Sequence, residues 1–280
     1  MASNLMNPAG APRPRSTPRR PRKWRYPAGQ EADYAAALDQ IARRTTEAVT
    51  AHVLPALGAA QRGDDLNSIP ETEGWYETLR QAFLAALSAA SVDDEAVGSL
   101  VALVARRVER FNAEQFHRTI RQAYGVDIFK AEPRLGQLAT IWEAENIKLI
   151  KSIPAQYLEG LHGKVVAAVQ KGTSLRELTA LVRQTYKMPR NRAELIARDQ
   201  VGKLNGQLTE YRQQNIGVEE YRWRGVLDER EREEHVAREG EVFRWDKPPE
   251  DGHPGQPIRC RCWAEAVLPL LEDLDALVVH

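Results

Sequence analysis

Apolar residues recur at helical spacing from Tyr34 to Gly217, and after Gly217 the period shortens to two. That change confines the chain to the α+β class: a mainly α-helical body followed by a small β-rich C-terminal module. Leu38, Ile41, Val49 and Val53 mark a first amphipathic helix, with Pro55 near its end. Trp75, Leu79, Phe83 and Leu87, at steps of four, mark a second. Ser91, with Asp94 three residues later, has the spacing of an N-terminal cap, and Val97, Val101, Val104, Val108, Phe111, Phe116 and Ile120 continue one face toward Gly125. Helical patterning over residues 134–171 contains Pro154, which predicts a kink or the meeting of two helices. Ser174 and Glu177 stand at capping-box spacing for the next helix, and after Pro189 another runs to Gly217.

Beyond Gly217, residues 219–224 alternate with Tyr221 and Trp223 on one face. Residues 241–245 set Val242 against Phe243, and residues 258–267 form a third candidate strand. Pro248, Pro249, Pro254 and Pro257 with two glycines make residues 247–257 a turned loop. The expected division is a disordered basic arm over 1–28, a helical body over 29–217, the β-rich module over 218–267 and a tail over 268–280 that is a short helix or a docking segment.

Charge is divided along the same lines. The 39 basic and 39 acidic residues cancel, but residues 1–30 hold seven basic residues and no acidic one, leaving 32 basic and 39 acidic for the remainder. A basic arm is joined to an acidic body. Arg13, Arg15, Arg19, Arg20, Arg22, Lys23 and Arg25, with Trp24 among them, are the candidate DNA-binding residues, since neutralising phosphates releases counterions whatever the base sequence. A solubilising or partner-binding tail is the other reading of the same composition. The longest uncharged apolar stretch, Ala96 to Ala105, falls short of the roughly 20 residues of a membrane span. The arginines of the N-terminus are not followed by an apolar block, so no secretory signal is expected.

Cys260 and Cys262 are the two cysteines, too few for a disulfide framework. In a strand, alternation would put both on one side about 6.6 Å apart. Tetrahedral zinc takes four ligands, and His235 with either His253 or Asp228 would complete the set. A structural zinc ion is therefore the expected cofactor, with buried thiols acting as small hydrophobes as the plainer reading. A cysteine nucleophile with His235 as base and Asp228 as orienter uses the same residue types. Arg259 and Arg261 would point to the opposite face and pair with Asp228, Glu229 or Glu231, or meet a partner. The run from Asp228 to Glu234 alternates with Arg230 and Arg232, as a solvated, self-paired face does. Phosphate-cradling G-x-x-x-x-G-K-[ST], H-E-x-x-H, G-x-S-x-G and G-x-G-x-x-G patterns are absent from the sequence.

The run YRWRGVLDEREREEHVAREGEVF, a Pro/Gly loop and then PIRCRCWAE together resemble the C-terminal signature of phage head morphogenesis proteins, the Mu F-like minor head (minor capsid) family. The matching positions are Trp223, Asp228, Arg230, His235, Gly240, Cys260, Arg261 and Cys262. Residues 24–38, 142–154, 170–184 and 193–206 are similar to upstream pieces of that family. Two departures are Glu231, where Thr is frequent, and Asp199, where Glu is frequent. The resemblance implies a non-enzymatic structural protein of a tailed-phage head, assembled in the host cytoplasm and resident in the virion near the portal. It also implies portal and capsid or scaffold proteins as partners, with packaged DNA met through the arm. A metal-dependent hydrolase or Cys-based transferase in the C-terminal module is the alternative.

Overall fold

The computed structural model describes residues 24–60, 72–125, 127–128 and 130–268. Of the candidate DNA-binding residues, Arg13 through Lys23 lie outside this set, as does the tail beyond Leu268. Arg25 is described and exposed.

The expected helices form, with adjusted ends. Helix α1 (Ala28–Ala48) passes through a π-helical turn (Val49–Val53) into α2 (Leu54–Ala60), so Pro55 sits in the first turn of α2, where its missing N–H is tolerated. Helix α3 (Thr72–Ala90) precedes α4 (Asp94–Tyr124). The cap of α4 is Asp93, whose Oδ2 accepts from Ala96 N at 3.0 Å, and not Ser91, whose hydroxyl donates back to Leu87 O at 2.8 Å. Helix α5 (Leu135–Gln170) is one element that runs through Pro154. Its buried stripe of Ile150, Ile153, Leu158, Leu161 and Val165 outweighs the proline, since each such side chain contributes about 1.5–3 kcal/mol of burial against roughly 3 kcal/mol lost. Helix α6 (Leu175–Gln184) starts at the anticipated capping box: Ser174 Oγ accepts from Glu177 N, and the Glu177 carboxylate accepts from Ser174 N at 3.0 Å. Helix α7 (Lys187–Asn215) begins two residues before Pro189, which again occupies a first turn.

Strand β1 (Glu220–Arg224) is the centre of a three-stranded antiparallel sheet, flanked by β2 (Val242–Arg244) and β3 (Trp263–Ala266). Tyr221 pairs with Phe243 on one side, and Trp223 with Ala264 on the other. Tyr221 and Trp223 are buried while their neighbours are partly exposed, as the alternation required. Two expectations are corrected. A short helix, α8 (Glu233–Ala237), occupies part of the acidic run, and the third strand begins at Trp263, leaving both cysteines in the preceding loop. That loop turns where Cys260 N donates to Pro257 O at 3.0 Å and Arg259 takes φ 61°, which ends any extended run before Cys260.

The chain divides into two compact units, and α1, α4, α5 and α7 contribute residues to both. Residues 32–101 and 144–197 form one. Its core joins Val49, Val53 and Leu57 to Leu79 and Phe83, to Leu158, Leu161 and Val165, and to Leu178 and Val182 of α6. Tyr157 Oη and Thr185 Oγ1 share a buried hydrogen bond of 2.9 Å within it.

The other unit comprises the residues up to Glu31, residues 102–143, and those from Arg198 onward. One apolar cluster packs Trp24 with Phe116, Ile120, Tyr124, Ile216 and Val218. Trp24, among the basic residues in the sequence, is only 7% exposed, so its indole is committed to this core. Gln115 fixes the chain just after it, accepting from Arg25 N and donating to Arg25 O, each at 2.8 Å. A polar layer lies beside this cluster's helices: Arg212, 1% exposed, donates to Asn112 Oδ1 at 2.7 Å and to Glu132 and Glu109, while Asn112 donates to Thr209 Oγ1 at 2.8 Å. A second cluster, Tyr221, Trp223 and Trp245 with Cys260, Cys262 and Ala264, is the core of the sheet module.

Candidate metal centre

Helix α7 gives the C-terminal loop its seat. A Cβ at Gly202 would lie 2.8 Å from Cys260 O, and one at Gly206 would lie 2.6 Å from Pro254 O. Only a helix face without side chains admits the loop backbone this closely. From the same helix, Asp199 Oδ1 accepts from Arg259 N at 3.2 Å while its Oδ2 pairs with Lys203 at 2.9 Å. Asp199 thus pins the left-handed residue between Ile258 and Cys260, which gives the departure noted in the sequence a positioning role.

Three side chains converge above this seat. His235, on α8, is buried with its ring edge-on to Trp223 at 5.2 Å, and Arg238 lies over the Trp223 ring at 5.1 Å. Its Nδ1 is 3.7 Å from Cys260 Sγ and 3.4 Å from Cys262 Sγ, and all three ligand atoms lie within 4.8 Å of one another. Zinc bonds of about 2.3 Å to sulfur and 2.0–2.1 Å to nitrogen at the tetrahedral angle set a sulfur–nitrogen edge of about 3.6 Å. The two observed distances straddle that value. His235 Nε2 donates to Asp251 Oδ2 at 2.9 Å, and Asp251 Oδ1 accepts from Arg238 at 2.5 Å. A carboxylate on one ring nitrogen leaves the lone pair of the neutral imidazole on the other, facing the sulfurs. Gly255 N donates to Cys260 Sγ at 3.4 Å, a bond that favours thiolate.

Proton affinities follow from these contacts. Cys260 is held below the ordinary thiol range, first because Cys262 hydrogen-bonds to it and then by His235 and Gly255. Cys262 is pushed up by its bond to Cys260, by burial and by Glu231. His235 is raised, chiefly by Cys260 and then by Asp251. Two thiolates side by side repel each other, so deprotonating both calls for a cation between them.

The other two candidate ligands are held elsewhere. Both nitrogens of His253 are engaged, Nδ1 with Tyr221 Oη at 2.9 Å and Nε2 with Trp245 O at 3.1 Å, and burial lowers its proton affinity. Asp228 makes a two-point pair with Arg261, which holds its carboxyl below the usual range. The structure therefore brings His235, Cys260 and Cys262 together and leaves His253 and Asp228 outside the cluster. The carboxylate orienting His235 is Asp251 and not Asp228. Sequence reasoning missed Asp251 because it sits in the Pro/Gly loop, where nothing local marks it.

Residues 159–265 match the family described as Phage Mu protein F like protein. The matched segment is 107 of the chain's 280 residues. It runs from α5 through α6, α7 and β1 into β3, and it holds every residue of the cluster and its seat. The chain is also 34% identical over 171 residues to an uncharacterized protein of Haemophilus influenzae, an alignment that covers 60% of this chain and 38% of that one. No solved structure matches. The Mu F-like signature acquires physical meaning here. Asp228 and Arg261 tie the loop after β1 to the C-R-C segment. Gly240, at φ 86°, turns the chain into β2 and donates to Trp223 O at 2.9 Å.

Proposed function

We propose that the chain is a phage head morphogenesis protein, a minor component of the capsid that acts at the portal vertex in assembly and in DNA packaging or release. The observation that carries this reading is the Mu F-like match over residues 159–265, which takes in the complete His235–Cys260–Cys262 cluster. In this reading the ion is a structural zinc: His235, Cys260 and Cys262 hold it, and it clamps α8 to the loop before β3 in a module with little apolar volume. Both cysteines are 4% exposed, which suits a clamp and not a nucleophile that must meet a substrate. The helical body supplies the surface for portal, capsid or scaffold protein, and the basic arm meets packaged DNA. Among the described residues no helix is long and apolar enough to cross a membrane.

The test is a tagged protein expressed during phage growth. It is expected in mature particles and in complexes pulled down with the portal protein, and absence from both overturns the assignment. Elemental analysis of the purified chain is expected to give one zinc. Less than about a tenth of an equivalent, with melting unchanged by chelator, would leave a buried thiol core as the account of the cluster.

A further inference from the structure

Three ligands leave a tetrahedral ion one position short, and that position decides whether the site is closed or open to solvent. We infer that Glu231 is the fourth ligand, making the site His–Cys–Cys–Glu and closing it. The inference rests on the zinc reading above.

Three observations meet at this carboxylate. Glu231 Oε1 is 3.0 Å from Cys262 Sγ, on the sulfur that also faces His235 Nδ1. An ion would open this edge to the tetrahedral sulfur–oxygen distance of about 3.6 Å, and because the carboxylate lies outside the set of ligand atoms that are all within 4.8 Å of one another, it would also draw the carboxylate further in toward the rest of the cluster. The other oxygen, Oε2, accepts from Leu227 N, so one oxygen is anchored and the other is left for the ion. Leu227 holds φ 59° to present that N–H, a conformation uncommon in a non-glycine residue, with its side chain exposed. Finally, a Cβ on Gly225 would fall on the Glu231 carboxylate, so the absence of a side chain there is what lets the carboxylate lie inward.

These features bear on one another. Without a ligand role, the left-handed leucine and the side-chain-free Gly225 serve only a carboxylate that accepts a hydrogen bond from the Cys262 thiol. With it, each is part of delivering one oxygen to the ion.

Full-length protein is used for the test, with zinc content by elemental analysis, affinity by competition with a chromophoric chelator, and the visible spectrum after cobalt substitution. Wild-type protein is expected to hold one ion. Glu231→Gln, nearly isosteric, should weaken binding more than about tenfold and shift the cobalt d–d bands as water replaces the carboxylate. Glu231→Cys should keep the affinity within about tenfold of wild type and strengthen the sulfur-to-cobalt charge-transfer band. Unchanged affinity and spectrum in Glu231→Gln overturn the fourth-ligand role and leave the three-residue zinc site standing. Wild-type protein that takes up no zinc overturns the zinc reading, and the role of Glu231 with it.

Discussion

Asp251 shows how much of the centre depends on a residue that touches no sulfur. It accepts the hydrogen bond of His235 Nε2–H and is steadied by Arg238, so one carboxylate fixes the tautomer of the imidazole and the angle at which Nδ1 faces the cysteines. Asp251→Asn keeps the size and removes the charge. Without that charge the imidazole is a weaker base and its tautomer is no longer enforced. Zinc affinity should fall about 10- to 100-fold while far-ultraviolet dichroism stays unchanged, as chelator competition on folded protein would show. An unaltered affinity would mean that His235 needs no orienting partner. The same residue marks a boundary of what the sequence discloses. Cys260, Cys262 and His235 could be proposed from ligand chemistry alone, because few residue types do what they do. Asp251 and Glu231 are two among 39 acidic residues, and only the folded backbone distinguishes them.

At the scale of elements, legibility follows the range of the interaction that fixes each feature. The capping box of α6 was readable because Ser174 and Glu177 are three residues apart, and the face of β1 was readable because alternation is local. The C-R-C segment misled for the opposite reason. Its turn is fixed by Asp199, sixty positions earlier, so a sequence that reads as a strand is held as a loop. Even so, both sulfurs reach His235, by a different backbone route from the one alternation suggested. The glycines of α7 carry a prediction of this kind. Gly→Ala within a helix ordinarily stabilises by about 1 kcal/mol, and Gly163→Ala in α5, with open space around its Cβ, should do so. Gly202→Ala should reverse the sign. Its Cβ meets the carbonyl of Cys260, which as backbone cannot swing aside, so a loss of about 1–3 kcal/mol is expected together with weaker zinc binding. Thermal unfolding of the two variants side by side checks the contrast, and a stabilised Gly202→Ala would show that the loop does not rest on α7 as described.

For the whole molecule, a net charge of zero is the sum of two unlike parts, seven positive charges within residues 1–30 and an excess of seven negative charges after them. That arrangement has a consequence for nucleic acid. A protein with its basic residues spread over the surface would lose DNA binding gradually as they were removed, whereas here the acidic remainder should repel the duplex once the arm is gone. Trp24 and the Gln115 clamp on Arg25 fix the point at which the arm meets the fold, so truncation before Trp24 leaves both contacts in place. If all seven basic residues meet phosphates, the slope of log affinity against log salt is about −6, and raising salt from 50 to 200 mM should weaken duplex binding by more than about a thousandfold. Protein lacking residues 1–23, which keeps only Arg25 of the seven, should bind duplex DNA weakly at every salt concentration and show a slope no steeper than about −1, while melting as the full chain does. Fluorescence anisotropy across a salt series reads both quantities. A truncated protein that kept the affinity and slope of the full chain would move DNA binding to the body and leave the arm as a site for an acidic protein partner.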